Sequence, residues 1–420
     1  MSPPSRKQTR KQKKQRDRKQ RKAKSQARSQ PSFPPSPHIP ELPRLTPRSK
    51  PDPETLSPID RWWDEYSDAD GHGRLQMVRE KLATVSPDDD GFESLFPEAI
   101  MELESKLPES DYVAFLEQLR DEHPAVFEIA LDWNTQSLVS HYIAENRMED
   151  VDRATEYLAG RMEDVSDPFF PLLSMIRLAG RGNAAQMLID AAAPSFHKSD
   201  LTYSAVNELV EWAMHAPVQA CLEAGATEEA IEIAYQKSLA LGVNDTEANR
   251  KIQRNSITLL AGISEKAWIR EELLTLDKEE AGSQVYLLLF AYARWLVQAR
   301  GFAPVVADEL RLIQAETIDR LGCRPGVLLL GLKQKDFEPA LARSLNMFSL
   351  KPFHAPAAVV AMRHFYDFLH AHDLVDKRTC DTAHDVCYVL WKKLKKAMAK
   401  DWDKCRFLEA YLPSSMTTTG

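Results

Sequence analysis

The residues best equipped for chemistry lie near the C-terminus. His364, His370, His372, Asp373 and Asp376 precede the run Cys380-Asp-Thr-Ala-His384-Asp-Val-Cys387. On a helix, positions 380, 384 and 387 share a face, so Cys380, His384 and Cys387 are the candidate metal ligands: two thiols and an imidazole, donors that zinc accepts. His370 or His372 from the preceding helix would complete a tetrahedral set. The spacing matches no zinc signature, however. The plainer reading makes the cysteines small core residues and leaves the histidines at wet helix ends, so the expectation is no bound metal and no cofactor.

Polyanion chemistry has two candidates. Between residues 6 and 28 there are thirteen Lys or Arg and one acid, Asp17. The predicted nucleic-acid contacts are Arg6, Lys7, Arg10, Lys11, Lys13, Lys14, Arg16, Arg18, Lys19, Arg21, Lys22 and Lys24, which would bind by counterion release without reading bases. The rest of the chain carries 41 basic and 61 acidic residues, an acidic body that repels phosphate. The second candidate is Lys392, Lys393, Lys395, Lys396 and Lys400. On a helical wheel they share a broad face, opposite Leu390, Leu394, Ala397, Met398 and Cys405. No aromatic residue interleaves with them on that wheel, so base stacking is not expected there. The plain reading is the wet outer face of a capping helix.

Other chemistry is missing from the sequence. It has no GxSxG, HExxH, phosphate loop or kinase set, so no catalytic residue is assigned and the expectation is a protein that is not an enzyme. Gly180-Arg-Gly182 lacks a preceding strand and reads as a helix–helix loop. The acidic loops beginning at Tyr66 and Ser86 place Met77 and Pro97 where calcium needs a bidentate carboxylate, so both read as helix stops and N-caps. The five cysteines, at 221, 323, 380, 387 and 405, form no CxxC pair and fit a reducing compartment. The first thirty residues hold no apolar run. The apolar stretch Val285–Val297 is interrupted by Arg294 and falls short of the roughly 20 residues a bilayer requires. A soluble, cytoplasmic protein without membrane contact is expected.

The elements that must position these residues are helices. Residues 1–30 are too polar to fold and form a disordered basic tail. Residues 31–56 are a proline-rich linker, since ten of the 26 prolines fall between Pro31 and Pro58. Ser57-Pro58-Ile-Asp60 is a helix start: a hydroxyl cap, proline in the first turn and an acid at the positive end. A helical region over 57–145 follows, with stripes at Leu75, Val78, Leu82 and at Tyr112, Phe115, Leu116, Leu119. Residues 263–412 form a C-terminal helical region ending in the basic capping helix, and 413–420 a disordered tail. Within that region, 280–300 is apolar almost all round and is expected to be a central, buried helix. Pro325-Gly-Val-Leu-Leu-Leu330 is read as a short buried helical turn in preference to a strand.

Residues 146–262 carry the pattern that organises the chain. Three helices open on a similar phrase, at Arg147, Arg181 and Ala224. Such spacing suits stacked hairpins, each too thin to bury its own apolar face. Gly225, Ala230, Tyr235 and Leu239 match the glycine turn, small residue, aromatic and leucine of the second helix of a tetratricopeptide repeat. Gly180 with Ala185, and Met148 with Ala154, match that scheme more loosely. The stretch thus resembles the tetratricopeptide family, without its Trp-Leu-Gly signature and with Gly242 near the family's closing proline. HEAT-like or irregular helix pairs would share these features. The resemblance implies an all-α, right-handed α-solenoid of helical hairpins that binds a protein partner.

The expected function is therefore a non-enzymatic scaffold or adaptor with a helical-repeat surface for a protein partner, and a basic tail for RNA, DNA or another polyanion. The alternative is a metal-dependent regulator or enzyme built around residues 380–387. An electrophoretic mobility assay tests the tail: the full chain is expected to retard RNA in a salt-sensitive way, and residues 57–420 to lose most of that affinity. Equal retardation by both would move the contact to the lysine helix.

Overall fold

In a computed structural model of the protein, residues 57–84, 92–195, 203–276, 278–321, 328–345 and 351–417 are described. The basic segment 6–24, the proline-rich stretch 31–56 and the start of the second acidic loop lie outside them. The described residues form helices, turns and bends, with no strand among them. No described helix is long and apolar enough to cross a membrane.

The chain divides into two compact units, Met1–Asp68 and Ala69–Gly420. The described part of the first is α1 (Pro58–Asp68). Ser57 caps it as the sequence predicts, its hydroxyl accepting the Asp60 amide at 3.1 Å.

The second unit runs α2 (Gly71–Leu82), α3 (Phe92–Lys106), α4 (Glu109–Glu122), α5 (Pro124–Ile129), α6 (Leu131–Ala144), α7 (Met148–Ala159), α8 (Phe169–Leu178), α9 (Gly182–Ala192), α10 (Tyr203–Glu223), α11 (Glu228–Ala240) and α12 (Glu247–Ala261). It continues with α13 (Arg270–Thr275), α14 (Lys278–Arg300), α15 (Pro304–Arg320), α16 (Gln334–Ser344), α17 (His354–Ala371) and α18 (Lys377–Ala397), then a 3-10 segment, Asp403–Tyr411. Helix starts follow local chemistry. Asp70, Thr227, Thr246 and Asp376 each accept an early amide of the helix they begin, and Pro124 and Pro304 occupy first-turn positions. Asp70 thus serves as an N-cap, the role expected of the first acidic loop.

Each of the three phrases opens the second helix of a pair: α6–α7, α8–α9 and α10–α11. The turns share one geometry. Asn146, Gly180 and Gly225 take φ of 57°, 76° and 77°. One residue later, the amides of Arg147, Arg181 and Ala226 reach back five positions to Tyr142, Ile176 and Cys221. That bond satisfies a carbonyl the ending helix would leave bare.

Pairing with sequence neighbours is only part of the packing. α15 lies against α8, α10, α14, α16 and α17, and the 3-10 segment packs on both α6 and α17. The central buried helix is α17, whose side chains are almost all buried from His354 to Leu369. This corrects the expectation for residues 280–300. In α14, Leu288, Leu289, Tyr292 and Leu296 are buried, whereas Tyr286 is 51% exposed. Leu328 and Leu329 are helical and buried, as the sequence suggests, but Leu330 is 67% exposed, and 322–327 lie outside the described residues.

At Gly71 a side chain has no room, because a Cβ would overlap the backbone carbonyl of Lys106. Gly282, in α14, has open space around it. Gly71→Ala is therefore expected to lower stability by about 1–3 kcal/mol in urea unfolding, and Gly282→Ala to raise it by about 0.5–1 kcal/mol. Equal effects would contradict the close α2–α3 approach.

Candidate functional site: a cleft above a buried charge network

α8 shows how the network arises. Phe169–Leu178 is apolar except for Ser174 and Arg177, and every residue in it is buried. An arginine there must find carboxylates or cost several kcal/mol. Arg177 donates from Nε to Glu309 Oε2 at 2.8 Å and from Nη2 to Asp308 Oδ2 at 2.5 Å. Both acids sit on α15 and are themselves buried. Arg311, one turn on, donates to Asp308 at 2.8 Å and to Glu211 of α10 at 2.7 Å. Trp212 Nε1 donates to Glu309 at 3.0 Å, and His215 Nδ1 lies 3.1 Å from Asp308.

Burial alone would raise the Asp308 carboxyl. Arg311, His215 and Arg177 overcome it and hold the group well below its ordinary range. Burial likewise works against the Arg311 charge, and Asp308 and Glu211 more than offset it.

Ser174, His354 and Glu316 resemble a hydrolytic triad in outline. His354 Nε2 is 2.9 Å from Ser174 Oγ, and its Nδ1 is 3.4 Å from Glu316. The hydrogen bonds run the wrong way for nucleophile activation. The Ser174 hydroxyl donates to Glu309, so His354 must donate to Ser174 instead of taking its proton. Ser174 is fully buried, and the trio joins α8, α15 and α17 as a lock.

Above the network opens a cleft of about 660 Å³. Its walls are Met214, Val218 and Leu222 of α10, Ile252, Ile257 and Leu260 of α12, and Phe290 and Val297 of α14; Glu211, His215, Asp308 and Arg311 also line it. This explains why α14 is apolar all round: one face enters the core and the other lines the cleft. Ile252 stands 62% exposed and Tyr286 51% exposed. Arg294, half-buried on the α14 wall, donates to the Leu260 carbonyl at 3.2 Å, and among the described residues no carboxylate pairs with it.

The sequence-based metal set is only partly assembled. Cys380 Sγ and His384 Nε2 lie 3.5 Å apart. The third donor is Asp367 of α17, whose Oδ1 is 3.0 Å from His384 Nε2. Cys387 does not join them. Seven residues along a helix is about 10 Å of rise, beyond the reach of two short side chains toward one point. It is buried in the core, which pushes its thiol up to about 12. His370 Nδ1 instead faces the Val375 carbonyl at 3.1 Å, and His372 packs on Phe368. Burial and nearby Asp367 push the Cys380 thiol up to about 11. Burial opposes the Asp367 charge, while His384, Arg363 and Arg300 hold its carboxyl below the ordinary value.

The lysine face is more engaged than the wheel suggests. Lys393 pairs with Glu338 at 2.6 Å and Lys395 with Glu409 at 3.5 Å. The expectation of no interleaved aromatic is corrected: Lys392 lies over the Tyr388 ring at 4.4 Å. Leu390, Leu394, Met398 and Cys405 are buried as expected, but Ala397 is exposed.

The network escaped sequence reading because Asp308-Glu309-Leu-Arg311 looks like an ordinary wet turn. The available signal was Arg177, alone in an apolar helix. Among known proteins, no family, curated protein or solved structure matches the chain.

Arg177→Met is expected to cost about 3–5 kcal/mol in denaturant unfolding, because two buried carboxylates lose their partner. Adding Asp308→Asn and Glu309→Gln is expected to recover part of that loss. A triple variant no more stable than the single one would show that the charges are not coupled.

Proposed function

We propose that this chain is a non-enzymatic, cytoplasmic binding scaffold: a tetratricopeptide-like, right-handed solenoid segment, closed by the C-terminal helices, whose cleft receives an amphipathic helix of a protein partner. The observation that carries this reading is the open apolar cleft with Ile252 and Tyr286 exposed at it. Large apolar side chains grouped in a concavity favour a partner that buries them. Arg294, with no carboxylate partner among the described residues, selects an acidic residue on that helix. The basic segment 6–24 then holds the assembly to RNA, DNA or another polyanion.

A photoreactive benzoylphenylalanine at Ile252 tests the cleft in cells. It is expected to crosslink a defined protein, with the crosslink lost on Val218→Glu and reduced on Arg294→Glu. A product pattern equal to that from the same probe at Met187, an exposed residue of α9, would sink the reading.

A further inference from the structure

The group at Asp367, Cys380 and His384 shares no residue with the cleft lining or the buried network, and its three ligand-capable atoms converge although the Cys380 thiol also has a backbone acceptor, the Tyr366 carbonyl at 3.5 Å. In a proton relay, the partners of a histidine use different ring nitrogens. Here the Asp367 oxygen and the Cys380 sulfur both approach His384 Nε2, at 3.0 and 3.5 Å. That nitrogen carries at most one proton, so it serves only one of them at a time. The three donor atoms all lie within 4.8 Å of one another. Around a tetrahedral zinc, with bonds of about 2.3 Å to sulfur and about 2.0 Å to nitrogen or oxygen, donor separations are about 3.5 Å for sulfur–nitrogen and about 3.3 Å for nitrogen–oxygen.

The geometry points to a zinc site formed by Asp367 Oδ1, Cys380 Sγ and His384 Nε2, clamping α17 to α18. Arg300 donates to the other oxygen of Asp367, Oδ2, at 2.7 Å, an outer contact that orients the carboxylate and leaves Oδ1 for the metal. Solvent reaches the group at His384, whose side chain is 24% exposed, which supplies an entry path. Binding exchanges two bonds for two others with no change of oxidation state: the Cys380 S–H proton leaves to solvent as the sulfur–zinc bond forms, and the His384 Nε2 proton leaves as the nitrogen–zinc bond forms, with Nδ1 carrying the proton of the neutral ring. The new thiolate offsets part of the positive charge brought by zinc beside Arg300 and Arg363. Those guanidiniums weaken the site relative to one without nearby cations.

The test uses the full chain with zinc chloride and, separately, cobalt chloride. About one zinc per chain is expected after gel filtration. Cobalt is expected to give a sulfur-to-metal charge-transfer band together with strong tetrahedral visible absorption. Cys380→Ser should abolish the charge-transfer band and weaken zinc binding about 100-fold, while Cys405→Ala keeps both. If Cys380→Ser does not fold, His384→Gln, at a partly exposed position, decides by loss of zinc with helicity retained. No zinc retained by the wild-type chain and no charge-transfer band with cobalt would overturn the site, as would a band that survives Cys380→Ser in a folded protein.

Discussion

Arg177 is the residue on which the second unit turns. It sits in a helix with no wet face, so its charge must be met inside the protein. Asp308 and Glu309 meet it from more than a hundred residues away in sequence. Their remaining oxygens are met by Arg311 on Asp308 and Ser174 on Glu309, while His215 and Trp212 share the oxygens that Arg177 holds. Each group is costly to bury alone and tolerable only when the others are present. The network therefore specifies how α8, α10, α15 and α17 meet more sharply than apolar contact does, since apolar surfaces tolerate sliding.

The same arrangement shapes the cleft. α15 cannot serve both as an apolar floor and as the carrier of Asp308 and Arg311, so the surface above it is mixed: a charged base under aliphatic walls. α14 must then supply apolar atoms to two environments, the core through Tyr292 and Leu296 and the cleft through Phe290 and Val297. A helix with two apolar faces need not be enclosed; it can divide a core from an open concavity.

Turn chemistry explains the regularity of the middle of the chain. Asn146, Gly180 and Gly225 all end a helix in the left-handed region and return one amide to a carbonyl that would otherwise be unsatisfied. The cost of that conformation is small for glycine and moderate for asparagine. A one-dimensional array touches only its neighbours. The packing of α15 on α8, and of residues 403–411 on α6, adds closure between distant parts of the chain.

What the sequence determined alone was local: helical periodicity, the caps at Ser57 and Asp70, and the turns at Gly180 and Gly225. Each rests on interactions spanning a few residues, so the residue order contains the answer. The tertiary structure decided what depends on distant partners. It buried Asp308, Glu309 and Arg311, which look solvent-facing in isolation. It replaced Cys387 with Asp367 beside Cys380 and His384, because a helical wheel reports angle and ignores rise along the axis. It also opened one face of α14, since apolar composition does not distinguish a core wall from a cleft wall. Desolvation and convergence are properties of the assembled chain, and no window of sequence carries them.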